Sequence, residues 1–289
     1  MAVYERTYRR YDGELTPAWS RFLIVPRYAL REVFRKRLFV AFFALCFVAP
    51  FISMLVIYFR HNLPALQLLE IPLDRLKDKL LIDARFFWLG MWFQGIESAV
   101  LVLLVAPALL SPDLRNNGLA LYLSRPFSRA EYVAGKLAVL VYLLSLITLV
   151  PGLLLFFFQG YLEGAGWIGE NLRIAGAVIA GSCMCILALS LPALAISAWV
   201  KWRPVARIAL IALFLVPIGF AKAVNVALDT HWAWLLSLWH LIAALWAGLF
   251  GVESSVDLPA GAAAAALAGL FLACLWLLAR RVRAYEVVR

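Results

Sequence analysis

Charge is what this chain has least of. Of its 289 residues, 15% are Asp, Glu, Lys or Arg, whereas 65% are hydrophobic, and the mean hydropathy is +0.88. A soluble domain carries roughly 25% charged and about 45–50% apolar residues, so a soluble globular class is excluded. Catalytic vocabulary is equally sparse. His61, His231 and His240 make no metal motif with neighbouring acids, so no metal site is expected. No G-x-S-x-G or H-E-x-x-H pattern occurs. The one Gly-Lys pair, Gly135-Lys136, is flanked by Ala130 and Leu137, where a phosphate-binding loop needs Gly and Ser or Thr. The chain therefore has no visible means of hydrolysing a nucleotide or a peptide, and neither catalytic residues nor a cofactor of its own are expected. Cys46, Cys183, Cys185 and Cys274 all fall in apolar runs, behave there as small apolar residues, and imply no disulfide framework. A cleavable leader is not expected either, because the first apolar run starts near Leu38, behind a long basic stretch, with no A-x-A pattern after it.

What remains is apolar segments of spanning length. Six runs, at about 38–59, 86–110, 131–158, 172–199, 205–227 and 259–279, are each near the roughly 20 residues that cross a hydrocarbon core. The expected fold is an all-α polytopic membrane protein. Its net charge of +10 is topogenic rather than a nucleic-acid footprint, since the cations cluster beside apolar spans. With six spans, 20 of the 27 cations fall on one side: nine up to Arg37, four from Arg115 to Lys136, three from Lys201 to Arg207 and four from Arg280 onward. The positive-inside bias makes that side, and both termini, cytoplasmic.

Residues 1–16 form a polar leader. Residues 17–37 read as an amphipathic helix in the interface plane. Trp19, Phe22, Leu23, Leu30, Val33 and Phe34 fall on one side, and Arg21, Arg27, Arg31 and Arg35 face anionic headgroups from the other. Residues 38–289 form the transmembrane domain. The external segment 60–85 carries leucines at helical spacing and is expected to lie on the surface. Residues 232–250, WAWLLSLWHLIAALWAGLF, are long enough to span. A seventh span, however, would carry the cationic tail to the wrong side. The segment is therefore read as re-entrant, with its four tryptophans near the headgroups. Arg173 and Lys222 lie near external span ends and are expected to snorkel. Gly261, Ala262–Ala266 and Gly269 give the last span a small-residue face.

Two places invite function. Glu97 is the one acid well inside a span, beside Gln94 and Ser98. A charge at the bilayer centre costs about 2.5–3.5 kcal/mol on insertion scales, so these residues must face the bundle interior, a pathway or a partner subunit. The second place is the polar, basic island Ser111–Lys136, SPDLRNNGLALYLSRPFSRAEYVAGK, which belongs at the membrane surface. Asp113 can cap a short helix there, leucines give that helix an apolar face, and Arg125-Pro126 ends it before the next span, near Glu131. The expectation is a docking helix over about 112–129.

In order, these elements are a basic in-plane helix, two spans, a docking helix, three spans, a re-entrant hairpin and a last span. The arrangement resembles the membrane-spanning permease subunit of type-2 ATP-binding-cassette (ABC-2) exporters. The island resembles that family's signature at Asp113, Gly118, Leu119, Leu121, Leu123, Ser124, Pro126, Ser128, Arg129, Glu131, Gly135 and Lys136, and departs from it at Ala120, where the family often has an acid. The resemblance implies a half-transporter in the bacterial cytoplasmic (inner) membrane that exports a substrate. A second permease copy would complete the pathway. Separate cytoplasmic ATPase subunits would bind ATP and Mg and dock on the coupling helix through Asp113, Arg115, Gly118, Leu121, Tyr122, Ser124, Arg125, Pro126 and Arg129. Gly90, Gly95 and Ala99 offer a small-residue face for contact between the two copies. Two alternatives are weighed beside it. One is a non-transporting mechanical subunit of an ATPase-driven envelope or motility complex. The other is a proton-coupled secondary transporter using Glu97. The partners expected are thus an ATPase, a second copy and membrane lipids, but no nucleic acid.

Overall fold

The computed structural model describes residues 23–62, 81–116, 128–254 and 256–281. The described residues form an all-helical bundle without strands: α1 (Ile24–Phe34), α2 (Arg37–Leu45), α3 (Val48–His61), α4 (Ala84–Arg115), α5 (Arg129–Ile147), α6 (Leu149–Glu163), α7 (Ala165–Glu170), α8 (Leu172–Trp199), α9 (Arg203–Leu228), a 3₁₀ turn at Trp232–Leu236, α10 (Leu238–Phe250) and α11 (Ala260–Arg281). Among the described residues, six helical stretches are long and apolar enough to cross a membrane: Arg37–His61, Ala84–Asp113, Arg129–Glu163, Leu172–Trp199, Arg203–Leu228 and Ala260–Arg281. They make the chain a multi-pass membrane protein, and these six stretches coincide with the six apolar runs in the sequence.

Two spans are jointed, and proline explains both joints. Pro50 and Pro151 lack an N–H, and their rings crowd the carbonyl four residues back. Those carbonyls belong to Cys46 and Ile147, where α2 and α5 end. The chain re-enters the helix at once, through Phe47 in one case and Thr148 in the other.

Packing is uneven. In α4 and α8, 61% of the apolar stretch is buried, against 11% in the first span and 22% in α9 and α11. Helices α4 and α8, with the α5–α6 span at 56%, therefore form the protein core, while α2, α3, α9 and α11 keep apolar faces outward, as lipid-facing helices do. Several cation-bearing helix ends gather at one end of the bundle. Arg281 Nε donates to Ala198 O at 3.3 Å, Arg115 stacks over Trp202 at 5.3 Å, and Lys36, Asp113, Lys136 and Arg203 line one cavity. At the opposite end His61 Nε2 lies 2.7 Å from Glu163 Oε2.

The segment after α9 starts and finishes at that opposite end. Asp229 ends α9 in the left-handed region (φ 46°), and Ala233 N donates to Asn225 Oδ1 at 3.0 Å, which folds the 3₁₀ turn back along α9. Helix α10 then runs to Arg173, whose Nε and Nη2 donate to Leu249 O and Gly248 O, both at 3.1 Å. Arg173 was expected to snorkel. It is exposed there, and it binds the unsatisfied carbonyls at the α10 C-terminus, where a cation also complements the helix dipole. Gly251 ends the helix at φ 69°, and a Cβ there would come within 2.9 Å of the Arg173 guanidinium carbon. At 13 residues, α10 rises about 20 Å, short of a hydrocarbon core about 30 Å thick.

Trp246 differs from expectation as well. It is fully buried in the bundle rather than at its rim, and its Nε1 donates to Gly181 O at 3.1 Å. Gly95 of α4 and Gly181 of α8 clear its slot, since a Cβ on either would sit 2.9 and 3.0 Å from the indole. Gly95 and Ala99 are therefore spent on packing inside this chain and do not offer a face to a second copy. The last span packs through Ala263, Leu267, Cys274 and Leu278, while Gly261 and Gly269 face open space. Its glycines are not its packing face.

Candidate functional site

The site is built where α4 hands over to α5. Residues 117–127 lie outside the described residues, and with them Gly118, Leu119, Leu121, Tyr122, Leu123, Ser124, Arg125 and Pro126. Both stems of the connection are defined. Asp113 and Arg115 were expected to open a separate short helix. They belong instead to the last turn of α4, which runs unbroken to Arg115. The apolar span before them is already helical, and Pro112 disturbs the backbone four residues back without ending the helix.

Asp113 is therefore not a cap. Its Oδ2 accepts from the Tyr132 hydroxyl at 2.7 Å and lies 2.8 Å from Lys136 Nζ. Tyr132 and Lys136 are one turn apart on α5, so both reach α4 from one face. The Lys136 side chain is 8% exposed and that of Asp113 21%. Lys136, expected in a surface loop, is thus buried in an ion pair, with its ammonium also 5.4 Å from the Tyr132 ring centroid. Three groups on two helices form a clasp at the base of the loop. One and two turns of α5 deeper, Val139, Leu140, Leu143 and Leu144 are fully buried, so the clasp closes the polar end of an otherwise apolar interface. Ser111 Oγ donates to Ser197 O at 3.2 Å and ties the same end of α4 to α8.

The second stem starts with a capping box. Ser128 Oγ accepts from Glu131 N at 3.2 Å, and Ser128 N donates to Glu131 Oε2 at 2.6 Å. Together they satisfy two backbone donors at the start of α5. Ser128 and Glu131 thus have a structural role in setting where the loop ends, and Arg129 is exposed beside them. Arg115 is exposed too, beside a cavity of about 210 Å³ that it shares with Lys201 and Trp202.

Tyr132 was not singled out in the sequence. The spacing S-x-x-E at Ser128–Glu131 announces a capping box, but nothing local announces that Tyr132 and Lys136 will meet an acid 19 and 23 residues earlier.

The intramembrane residues do not converge. Gln94 is buried and lines a small hollow with Gly152 and Val178. The Glu97 Oε2 and the Ser98 Oγ are each buried with no hydrogen-bond partner among the described residues. Of the expected headgroup contacts, Arg21 lies outside the described residues. Arg27, Arg31 and Arg35 are exposed on α1, opposite the buried Val25 and Val33. Among the described residues no three His, Cys, Asp or Glu side chains are grouped to hold a metal. Neither a protein-family model nor a curated protein sequence shows a significant match to the chain.

Proposed function

We propose that this chain is the membrane-spanning subunit of an ABC-2-type exporter, seated in the bacterial cytoplasmic membrane with both termini cytoplasmic. A separate ATPase would bind ATP and Mg and dock on the loop between α4 and α5. The observation that carries this reading is the clasp of Asp113 with Tyr132 and Lys136. It ties the loop's two stems to each other at the cation-bearing end of the bundle. A push on the loop would then be passed to α4, the most buried span together with α8, rather than absorbed by a slack linker. The resemblance of residues 113–136 to the family signature supports the same reading. In it, α1 lies in the interface plane, the segment 232–250 is a re-entrant hairpin, and two copies with two ATPases make the working unit.

The test is co-purification from the native membrane. Wild-type protein should bring down a stoichiometric ATPase, and Arg125→Glu with Arg129→Glu should lose it while still inserting. Undiminished ATPase on the reversed variant would sink the proposal. A second reading, a proton-coupled carrier, is favoured by one observation, the unpartnered Glu97 Oε2. It requires cargo movement in vesicles driven by a pH gradient without ATP.

A further inference from the structure

Beside the clasp, two hollows share part of their lining. One, of about 220 Å³, lies between α1, the end of α4 and the start of α9, and is lined by Glu32, Lys36, Asp113, Lys136 and Arg203. The other, of about 80 Å³, is an apolar slot walled by Leu38, Phe39, Leu104 and Val105, with Arg207 at its edge. Val33, Lys36 and Ala108 line both, so a polar mouth adjoins an apolar slot.

The charges around this mouth do not balance. Asp113 is already taken by Lys136. Lys36, Arg203 and Arg207 have no ion-pair partner among the described residues, and Glu32 is the one other acid in the lining. Arg207 sits one helical turn further into an apolar span, where an uncompensated cation is costly. Helix α9 also begins here without a side-chain cap: Trp202 holds the cap position, and the free N–H groups of the first turn add positive potential.

We infer that the two hollows together are a binding site for one anionic phospholipid, with the phosphate among Lys36, Arg203 and Arg207 and an acyl chain in the slot of Leu38, Phe39, Leu104 and Val105. A free phosphate would satisfy the mouth and leave the slot empty. An uncharged lipid would fill the slot and leave the cations unpaired. The inference rests on the placement of these helices in a membrane and is independent of the ATPase reading. Bound there, the lipid bridges α1 to α4 and α9, so it would hold the N-terminal helix in place beside the clasp.

The experiment uses the full chain in detergent, with native mass spectrometry and thermal melting during titration with phosphatidylglycerol, phosphatidylcholine or inorganic phosphate. Wild type should hold one phosphatidylglycerol through delipidation and melt higher with it than with phosphatidylcholine. Lys36→Gln with Arg203→Gln and Arg207→Gln should bind it about a hundredfold more weakly, at the usual contribution of each cation near an anionic surface. Ala108→Phe, which keeps every cation but fills the slot, should also lose the lipid. It serves as the test if the triple variant fails to fold. Arg85→Gln with Lys222→Gln removes exposed cations outside the hollow and should keep the bound lipid. Equal retention by wild type and the slot variant, equal loss from the Arg85/Lys222 control, or full stabilisation by inorganic phosphate would each overturn the site.

Discussion

Removing the charge of Asp113 tests the clasp most directly. Asp113→Asn keeps the shape of the side chain and an oxygen for the Tyr132 hydroxyl. It leaves the Lys136 ammonium, whose side chain is 8% exposed, facing a neutral amide oxygen and the Tyr132 ring in place of a carboxylate. Breaking a buried pair from one side typically costs about 3–5 kcal/mol. Asp113 is 21% exposed and solvent screens part of the attraction, so about 3 kcal/mol is expected. Lys136→Met leaves Asp113 with its 2.7 Å hydrogen bond from Tyr132 and a route to water, for a loss of about 2 kcal/mol. The double variant has no stranded charge and should cost about 2–3 kcal/mol rather than the sum, a coupling of about 2–3 kcal/mol. Equilibrium unfolding in mixed micelles, followed by far-ultraviolet circular dichroism across the four proteins of the cycle, reads this coupling. Additivity within about 0.5 kcal/mol would mean that the two groups do not act as a pair, and the proposed transmission from loop to bundle would lose its basis.

Two further outcomes follow from the spans. Glu97→Leu removes a buried carboxylate oxygen that has no partner among the described residues, so it should stabilise the isolated chain by about 1–3 kcal/mol while impairing transport. A Leu variant less stable than wild type would mean that the oxygen is satisfied in the folded chain, and Glu97→Gln with normal transport would return it to a packing role. In a background lacking Cys46, Cys183, Cys185 and Cys274, cysteines placed near Asp229 and near Asp257 should both react with a membrane-impermeant reagent added outside. Labelling at one position alone would require 232–250 to cross the bilayer.

Spanning helices were legible because the requirement behind them is local. A run of about 20 apolar residues buries its own backbone hydrogen bonds wherever it sits in lipid, so the six runs and the six spans coincide. The cation distribution was legible for the same reason, because each arginine near a span end acts independently of fold. The proline joints at Cys46 and Ile147 were visible in principle, through the fixed reach of a proline ring to the residue four back.

Tertiary structure alone decided which polar side chains meet. Asp113 looked like a helix cap because Asp favours that position. The helix instead continued through it, and the side chain found Tyr132 and Lys136 on the neighbouring helix. Gly95 looked like a contact for a second copy until Trp246, 151 positions away in the chain, was found in its slot. Nothing near Arg173 in sequence announced that the carbonyls at the end of α10 would come within 3.1 Å of it. Pattern along a chain determines what a segment can bury. Which cation an acid meets, and which ring fills the gap beside a glycine, depends on the rotation and depth of helices far apart in sequence, and only their packing sets those.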